Sequence, residues 1–276
     1  MTTLRVMTLN VWNNRGEAAA RTSVINSGLR QLEPDLVAFQ EVLPGQLAEL
    51  IDGTGLTGAD QFEAMSVPPY ADRYGGTAIA TRHPHRLVEI LDMRGAGALD
   101  LPWFTLAARV PVGELGEVLF IAPTTSFRPE AEAQRERQVL AVTDLEARHR
   151  TALPTVIAGD FNAAPDSASI RYLTGKQSLN GHSTHFHDAW EIAGSGPGYT
   201  WDSTNPNATE DIDLLIRQPG YRRRIDYVFV GAPLAHPDAF AGVLSAALAF
   251  DKPVEGVWAS DHFGLVVDLD VGLIDR

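Results

Sequence analysis

Short apolar runs that each stop on a polar residue mark this chain from end to end. Val6-Met-Thr-Leu-Asn10-Val-Trp12 alternates and closes on Asn13-Asn14, as a first strand with one buried face should. Positions 18–32 carry Val24, Ile25, Leu29 and Leu32 at helical spacing, and Pro34-Asp35 ends that helix. Leu36-Val-Ala-Phe39 reads as a second buried strand, closed by Gln40-Glu41. Strand, helix, strand in this order predicts parallel or mixed pairing at that point. Residues 43–50 read as helical, 53–58 as loop and 75–81 as a short strand, with His83-Pro84-His85 in the turn that follows. Residues 105–110 and 117–122 alternate around Pro111 and Gly113, which predicts an antiparallel hairpin. The span 129–150 predicts a long helix striped by Val139, Leu140, Val142 and Leu145, with Arg135, Arg137 and Gln138 on its polar face. Residues 169–173 add a helical turn, 175–220 read as loop, and Arg224-Ile-Asp226-Tyr-Val-Phe-Val230 reads as a strand. Asp261-His262 directly precedes the last strand.

The stretch 153–167 gathers candidate chemistry. Its apolar run 156–158 is ended by Gly159, and Asp160 and Asn162 follow two residues apart. An extended backbone would point both the same way, and Pro165 leaves them at the carboxyl end of a strand, where α/β sheets place their sites. Oxygen ligands of this kind suit a hard divalent cation. An Asx-rich turn capping a helix from near Asp166 explains the same residues equally well. Asp226, inside an apolar strand, is costly unless paired or liganded.

Composition narrows the classes. With 276 residues and 45% hydrophobic content the chain can bury a large core, and no repeat or composition break divides it, so one domain over 1–276 is expected. The charge of −13 disfavours duplex DNA, whose binding rests on Lys and Arg. Arg222-Arg223-Arg224 is the single basic cluster, fit for a local groove or a solvated loop. Zero Cys excludes disulfides, thiol nucleophiles and thiolate metal sites and fits a reducing compartment. No run is apolar enough to span a bilayer, and residues 1–10 lack a signal layout. A cytoplasmic location is therefore expected.

Five separate strand ends carry polar residues: Asn10, Glu41, the Asp160/Asn162 pair, Asp226 and the Asp261-His262 pair. Through Thr8-Leu-Asn10, Gln40-Glu41-Val, Gly159-Asp-Phe-Asn162, Arg224-Ile-Asp226-Tyr and Ser260-Asp261-His262, the chain resembles the endonuclease/exonuclease/phosphatase superfamily, the DNase I-like metal-dependent phosphohydrolases. Thr200-Trp-Asp…Asn205-Pro and Pro165-Asp-Ser…Tyr172-Leu-Thr-Gly are similar to a bacterial branch of metal-dependent hydrolases. The resemblance implies a four-layer α/β/β/α sandwich, with two mostly antiparallel sheets packed face to face and helices outside. It implies Mg²⁺ or Mn²⁺ on Glu41, with Asn10 and Asp261 close by. Asp160 and Asn162 would orient the attacking water and hold the phosphate. His262 would be general base or phosphate contact, its imidazole oriented by Asp226.

One departure stands out. Where the family usually has the His of a Thr-His-Leu motif, this chain has Thr124 or, with a one-residue shift, Thr125. Three explanations stand side by side: a substrate with a good leaving group that needs less help, Arg128 or a His from the 181–187 loop filling the gap, or a scaffold turned to different chemistry or to none. The implied function is hydrolysis of a phosphate mono- or diester, with a small-molecule or lipid-like substrate favoured over nucleic acid. The alternatives are non-phosphate chemistry or a non-catalytic binding role on the same scaffold. The 199–207 loop is expected to shape the substrate entrance, with Trp201 most simply a packing residue.

Overall fold

Parallel pairing of the first two strands sets the architecture of the computed structural model, which describes residues 2–62, 75–97, 100–101 and 103–274. In chain order the elements are β1 (Thr2–Asn10), α1 (Ala18–Leu32), β2 (Leu36–Val42), α2 (Gln46–Ile51), β3 (Gly58–Phe62), β4 (Gly76–Thr81), β5 (Arg86–Asp92), β6 (Phe104–Pro111) and β7 (Glu117–Ala122). There follow α3 (Glu132–His149), β8 (Val156–Asp160), α4 (Ala168–Leu173), β9 (Phe186–Asp188), α5 (Ala189–Ala193), β10 (Trp201–Asp202) and α6 (Pro206–Leu215). The chain closes with β11 (Arg222–Arg223), β12 (Asp226–Gly231), β13 (Ala239–Ala249) and β14 (Gly264–Leu273).

One six-stranded sheet runs β13-β14-β1-β2-β4-β3, the other β5-β6-β7-β8-β12-β9, and β10-β11 form a separate ribbon. Each large sheet holds one parallel pair, β1/β2 and β7/β8, and is otherwise antiparallel. The two sheets bury a shared core, in which Val6, Leu36, Leu265 and Val267 of one meet Phe120, Val156, Ala158 and Val228 of the other. On the outer face of the first sheet, Ile25 and Leu29 of α1 and Leu47 and Leu50 of α2 pack on Met7, Leu9, Val37 and Phe39. On the outer face of the second, Val139, Val142 and Leu145 of α3 and Ile170 of α4 pack on Leu119, Ile121 and Ile157. This is the expected four-layer DNase I-like α/β sandwich.

Three local expectations give way. Gly159 lies inside β8 rather than ending it: a Cβ there would meet the Pro123 carbonyl oxygen at 2.1 Å, so only glycine fits. Arg135 and Gln138 are buried, not on a polar face. Arg135 donates to the carbonyls of Ser126, Arg128 and Pro129, and Gln138 exchanges hydrogen bonds with Ser126. The 175–220 stretch holds β9, α5, β10 and α6 rather than loop alone. Asn205 caps α6 and Pro206 opens it, a helix-start signal hidden in a run of turn-forming residues.

Candidate active site

Topology carries every predicted strand end to one edge of the sandwich. Because β1 and β2 are parallel, Asn10 and Gln40-Glu41 finish side by side. β14 is antiparallel to β1, so it starts where β1 stops, and Asp261-His262 leads into it there. In the second sheet Asp226 opens β12 directly opposite Asp160, the last residue of β8.

Local backbone then aims the side chains. Trp12, Asn13, Glu41 and Asn162 adopt positive φ, at 58°, 39°, 60° and 50°, which costs a non-glycine residue about 1 kcal/mol or more. At Glu41 the β2–β4 register shifts between Phe39 and Val42, and the bulge leaves the carboxylate at the cavity. Gly75, at φ +70°, makes room for it: a Cβ there would lie 2.4 Å from the Glu41 carbonyl carbon. Asn162 departs from the extended geometry that would align it with Asp160. Its N–H donates to Asp160 Oδ1 at 2.9 Å, closing the Asx turn, and its Nδ2 donates to the Thr125 carbonyl at 3.1 Å.

A polar web ties the sheets together. Asn10 Nδ2 donates to Glu41 Oε1 at 3.0 Å and to Asp160 Oδ2 at 3.2 Å, while its Oδ1 accepts from the Trp12 N–H at 2.9 Å. Asn13 Nδ2 holds the other Glu41 oxygen at 2.8 Å, and Ser260 Oγ donates to the Asn10 carbonyl at 2.6 Å. His262 Nδ1 lies 2.9 Å from Asp226 Oδ2. Thr200 Oγ1 accepts from the Ile225 and Asp226 N–H groups at 3.1 and 3.2 Å, fixing the start of β12. Beneath the β1–α1 loop, buried Arg21 donates to the carbonyls of Val11, Trp12, Asn13, Arg15 and Ala259 at 2.7–3.1 Å.

These groups floor a cavity of about 450 Å³, a volume ordinary for a small-molecule site. Asn10, Glu41, Asp160, Asn162, Asp261 and His262 all line it, whereas Asp226 stands behind His262. Its remaining walls are largely apolar: Leu101, Trp103 and Phe127 after the second sheet's strands, and Leu214, Leu215 and Ile216 at the end of α6. Trp201 lines it too, packed with Ala208, Ile212 and Ile225 and 6.5 Å ring-to-ring from His262, so it both packs and lines the cavity.

Three expected contributors stand apart from the lining. Thr124 and Thr125 are fully buried, Thr124 Oγ1 lying 3.3 Å from Thr77 Oγ1 and Thr125 Oγ1 donating to the Phe161 carbonyl. Arg128 points to solvent with its side chain 60% exposed, 3.9 Å from Glu130, although its neighbours Phe127 and Pro129 do line the cavity. Among the described residues no histidine of the 181–187 loop lines it either.

The profile of the Endonuclease/Exonuclease/phosphatase family matches residues 7–262, nearly the whole chain. The chain belongs to this family. Protein angel of Drosophila melanogaster is 28% identical over 214 residues, which are 71% of this chain and 58% of that protein. Among solved structures, D. rerio TDP2 complexed with single-strand DNA product superposes with a TM-score of 0.74 at 21% identity, covering 98% of this chain and 100% of that one. The human Nocturnin catalytic domain with bound sulfate gives 0.70 at 21%, covering 98% and 94%. An endonuclease/exonuclease/phosphatase from Beutenbergia cavernae gives 0.70 at 23%, covering 99% and 72%. At these identities the solved structures speak to the fold.

The electrostatics of this family member's site are those of crowded acids. Burial, then the Asp261 carboxylate, push Glu41 up to about 7. Burial, then Asp226, push Asp160 up to about 7, and burial raises Asp261. For His262, burial works downward, but Asp226, Asp261 and Asp160 outweigh it and hold the imidazole well above its ordinary value. Ligand atoms of Asp160, Asp226 and His262 come within 4.8 Å of one another, and Asp226 Oδ1 is buried without a hydrogen-bond partner among the described residues. Glu41, Asp160 and Asp261, carboxyl groups whose burial raises their proton affinity, are the hard oxygen donors that a divalent cation fits.

Two residues of the site left no mark in the sequence pattern beyond a strand terminator and a helix position: Asn13, whose side chain holds Glu41, and Arg21, whose guanidinium binds main-chain carbonyls. Arg15 lines the cavity although nothing in its spacing marks it, and Arg223 lines it from the basic cluster that reads equally as a local groove or a solvated loop.

Proposed function

We propose that this protein is a Mg²⁺- or Mn²⁺-dependent phosphoesterase of the cytoplasm, acting on a small or lipid-like phosphate ester. The observation that carries the reading is the cavity's floor of Asn10, Glu41, Asp160, Asn162, Asp261 and His262 beside walls in which Leu, Ile, Phe and Trp outnumber the charged Arg15, Glu210, Asp211 and Arg223. Glu41 and Asp261, with Asp160 across Asn10, are the oxygen donors that would hold the ion. When bound, the ion supplies positive charge against the phosphate's developing negative charge. Asn10 presents NH₂ to both Glu41 and Asp160, so its role is to bridge the two carboxylates.

Asp160, whose Oδ1 accepts from the Asn162 N–H and whose Oδ2 accepts from Asn10, is held in place to orient the attacking water. His262, kept protonated by Asp226, suits the phosphate contact: an imidazolium steadies a non-bridging oxygen, and Asp226 fixes the ring through Nδ1. Asn162 offers its amide at the same edge. No helix among the described residues is long and apolar enough to cross a membrane.

A second reading takes a single-stranded nucleic-acid end as substrate. It draws on the TDP2 neighbour's single-strand DNA product and on the aromatic lining residues Trp12, Trp103 and Trp201. The charge of −13 works against it. The deciding experiment compares p-nitrophenyl phosphodiesters carrying methyl, hexyl and dodecyl groups with a 5′-modified oligonucleotide. A KM that falls with chain length supports the apolar-ester reading; turnover confined to the oligonucleotide replaces it with the second.

A further inference from the structure

Resting on the phosphoesterase reading, we infer that Arg223 is the cation that grips the substrate's phosphate, filling the need that Thr124 and Arg128 cannot meet. The three consecutive arginines take different surroundings. Arg222 pairs with Asp202 at 3.3 Å, and Arg224 is buried against Asp188 at 2.7 Å. Arg223 lines the cavity.

Its position is fixed from two sides. In the β10–β11 ribbon Arg223 pairs in register with Trp201, and its own carbonyl accepts from the Thr200 N–H at 2.9 Å. Its Nη2 donates to the main-chain carbonyl of Asn162 at 2.9 Å, setting the guanidinium beside the Asp160–Asn162 turn. The ribbon is held in turn by the Thr200 carbonyl, which accepts from the Phe263 N–H at 2.7 Å, next to His262.

Charge makes the inference specific. Besides His262, the cavity's titratable lining is Glu41, Asp160, Glu210, Asp211 and Asp261 against Arg15 and Arg223. Arg15 is spent on Asp211 at 2.6 Å and Glu210 at 3.2 Å. Arg223 has no carboxylate within ion-pair distance among the described residues, and one hydrogen bond uses one of its five N–H donors. A half-buried guanidinium with its fork unfilled matches two phosphate oxygens and no neutral ester group. The substrate class this selects is an anionic phosphodiester or phosphomonoester whose remaining substituent is apolar.

The test uses Arg223→Gln and Arg223→Lys in the full chain with Mn²⁺ present. It reads kcat and KM on bis-p-nitrophenyl phosphate, inhibition by inorganic phosphate, and the phosphate-induced rise in Tm. The expected result for Arg223→Gln is a tenfold or larger rise in both KM and the phosphate inhibition constant, with kcat changed less and the unliganded Tm within a few degrees. Arg223→Lys should recover part of the loss, since it keeps the charge without the fork. A merely structural Arg223 would lower the unliganded Tm and kcat while leaving the phosphate-induced rise intact, and that result overturns the inference. So do phosphate responses within twofold of wild type in both variants. Wild-type protein without turnover, but with a phosphate-induced rise that Arg223→Gln removes, would sink the phosphoesterase reading and leave the anion site standing.

Discussion

The polar end of the cavity hangs on the termini of sheet strands, whereas its apolar end hangs on one short helix and two loops. Asn10, Asp160 and Asp226 are each the first or last residue of a strand held by ladders on both sides. Leu214, Leu215 and Ile216 sit at the end of α6, anchored through Ala208 and Ile212 to Trp201 and through Asn205 to the Ser260 carbonyl. The difference separates two demands. Chemistry needs groups fixed to fractions of an ångström, which a β-sandwich supplies; recognition of an apolar substituent needs surface, which a helix end can present and vary.

The largest expected effects fall on the polar end. Asp160→Asn and His262→Ala should each lower kcat by about a thousandfold, within the range general acid–base and charge-stabilising groups contribute. Far-UV circular dichroism should stay native. Activity within tenfold of wild type in either variant would remove that residue from the mechanism.

Gly75→Ala attacks the same end through the backbone alone. The new Cβ collides with the Glu41 main chain, so the bulge must shift. The metal concentration for half-maximal activity should rise about tenfold, measured by Mn²⁺ titration. An unchanged titration would detach Glu41 from metal binding.

On the apolar end, Leu214 is 68% exposed and tolerates change. Leu214→Asp should raise KM severalfold for a dodecyl ester and leave a methyl ester unaffected. Equal effects on both would show that α6 does not discriminate substituents.

What the sequence made legible follows the same division. A strand end that carries a carboxylate or a carboxamide is written locally, as an Asp or Asn bordering an apolar run, so Asn10, Asp160 and Asp226 could be read directly. That these ends converge followed from the resemblance and is set by register: Asp226 against Asp160, and β1 alongside β2. The apolar end was illegible because its helix starts inside a run of Ser, Thr, Asn and Pro. Arg135, read as a polar-face residue, and Arg21, which nothing marks, were hidden for a further reason. Buried guanidinium groups that donate to carbonyls look, in sequence, like any helix-surface arginine.

Thr124 illustrates the limit of alignment by motif. Restoring the family histidine there would not restore a phosphate contact, because the Thr124 side chain is buried against Thr77. Thr124→His should overpack the site and cost about 1–3 kcal/mol, seen as a lower Tm with no gain in turnover. A gain would mean the position opens to the cavity.

The smallest expected effect is a pH dependence of the metal-free protein. Glu41 and Asp160 keep their protons up to about pH 7 in the fold but ionise near pH 4 when unfolded. Between those values the folded chain binds more protons, so stability falls as pH rises. His262, held well above its ordinary value, acts in the same direction: its favourable charge is complete below that ordinary value and is lost as pH passes the raised one. Tm in chelator should therefore decline from pH 5 to pH 8, and Mn²⁺ should recover most at pH 8. A Tm that rises over that interval would contradict the crowded-acid description.

The most direct measurement is hydrolysis of bis-p-nitrophenyl phosphate by the wild-type protein with Mg²⁺ or Mn²⁺ and with chelator, beside His262→Ala. The account predicts turnover that appears with metal, vanishes with chelator and is lost in the variant. Turnover indifferent to chelator, or its absence in a folded wild-type protein that binds Mn²⁺, would contradict it.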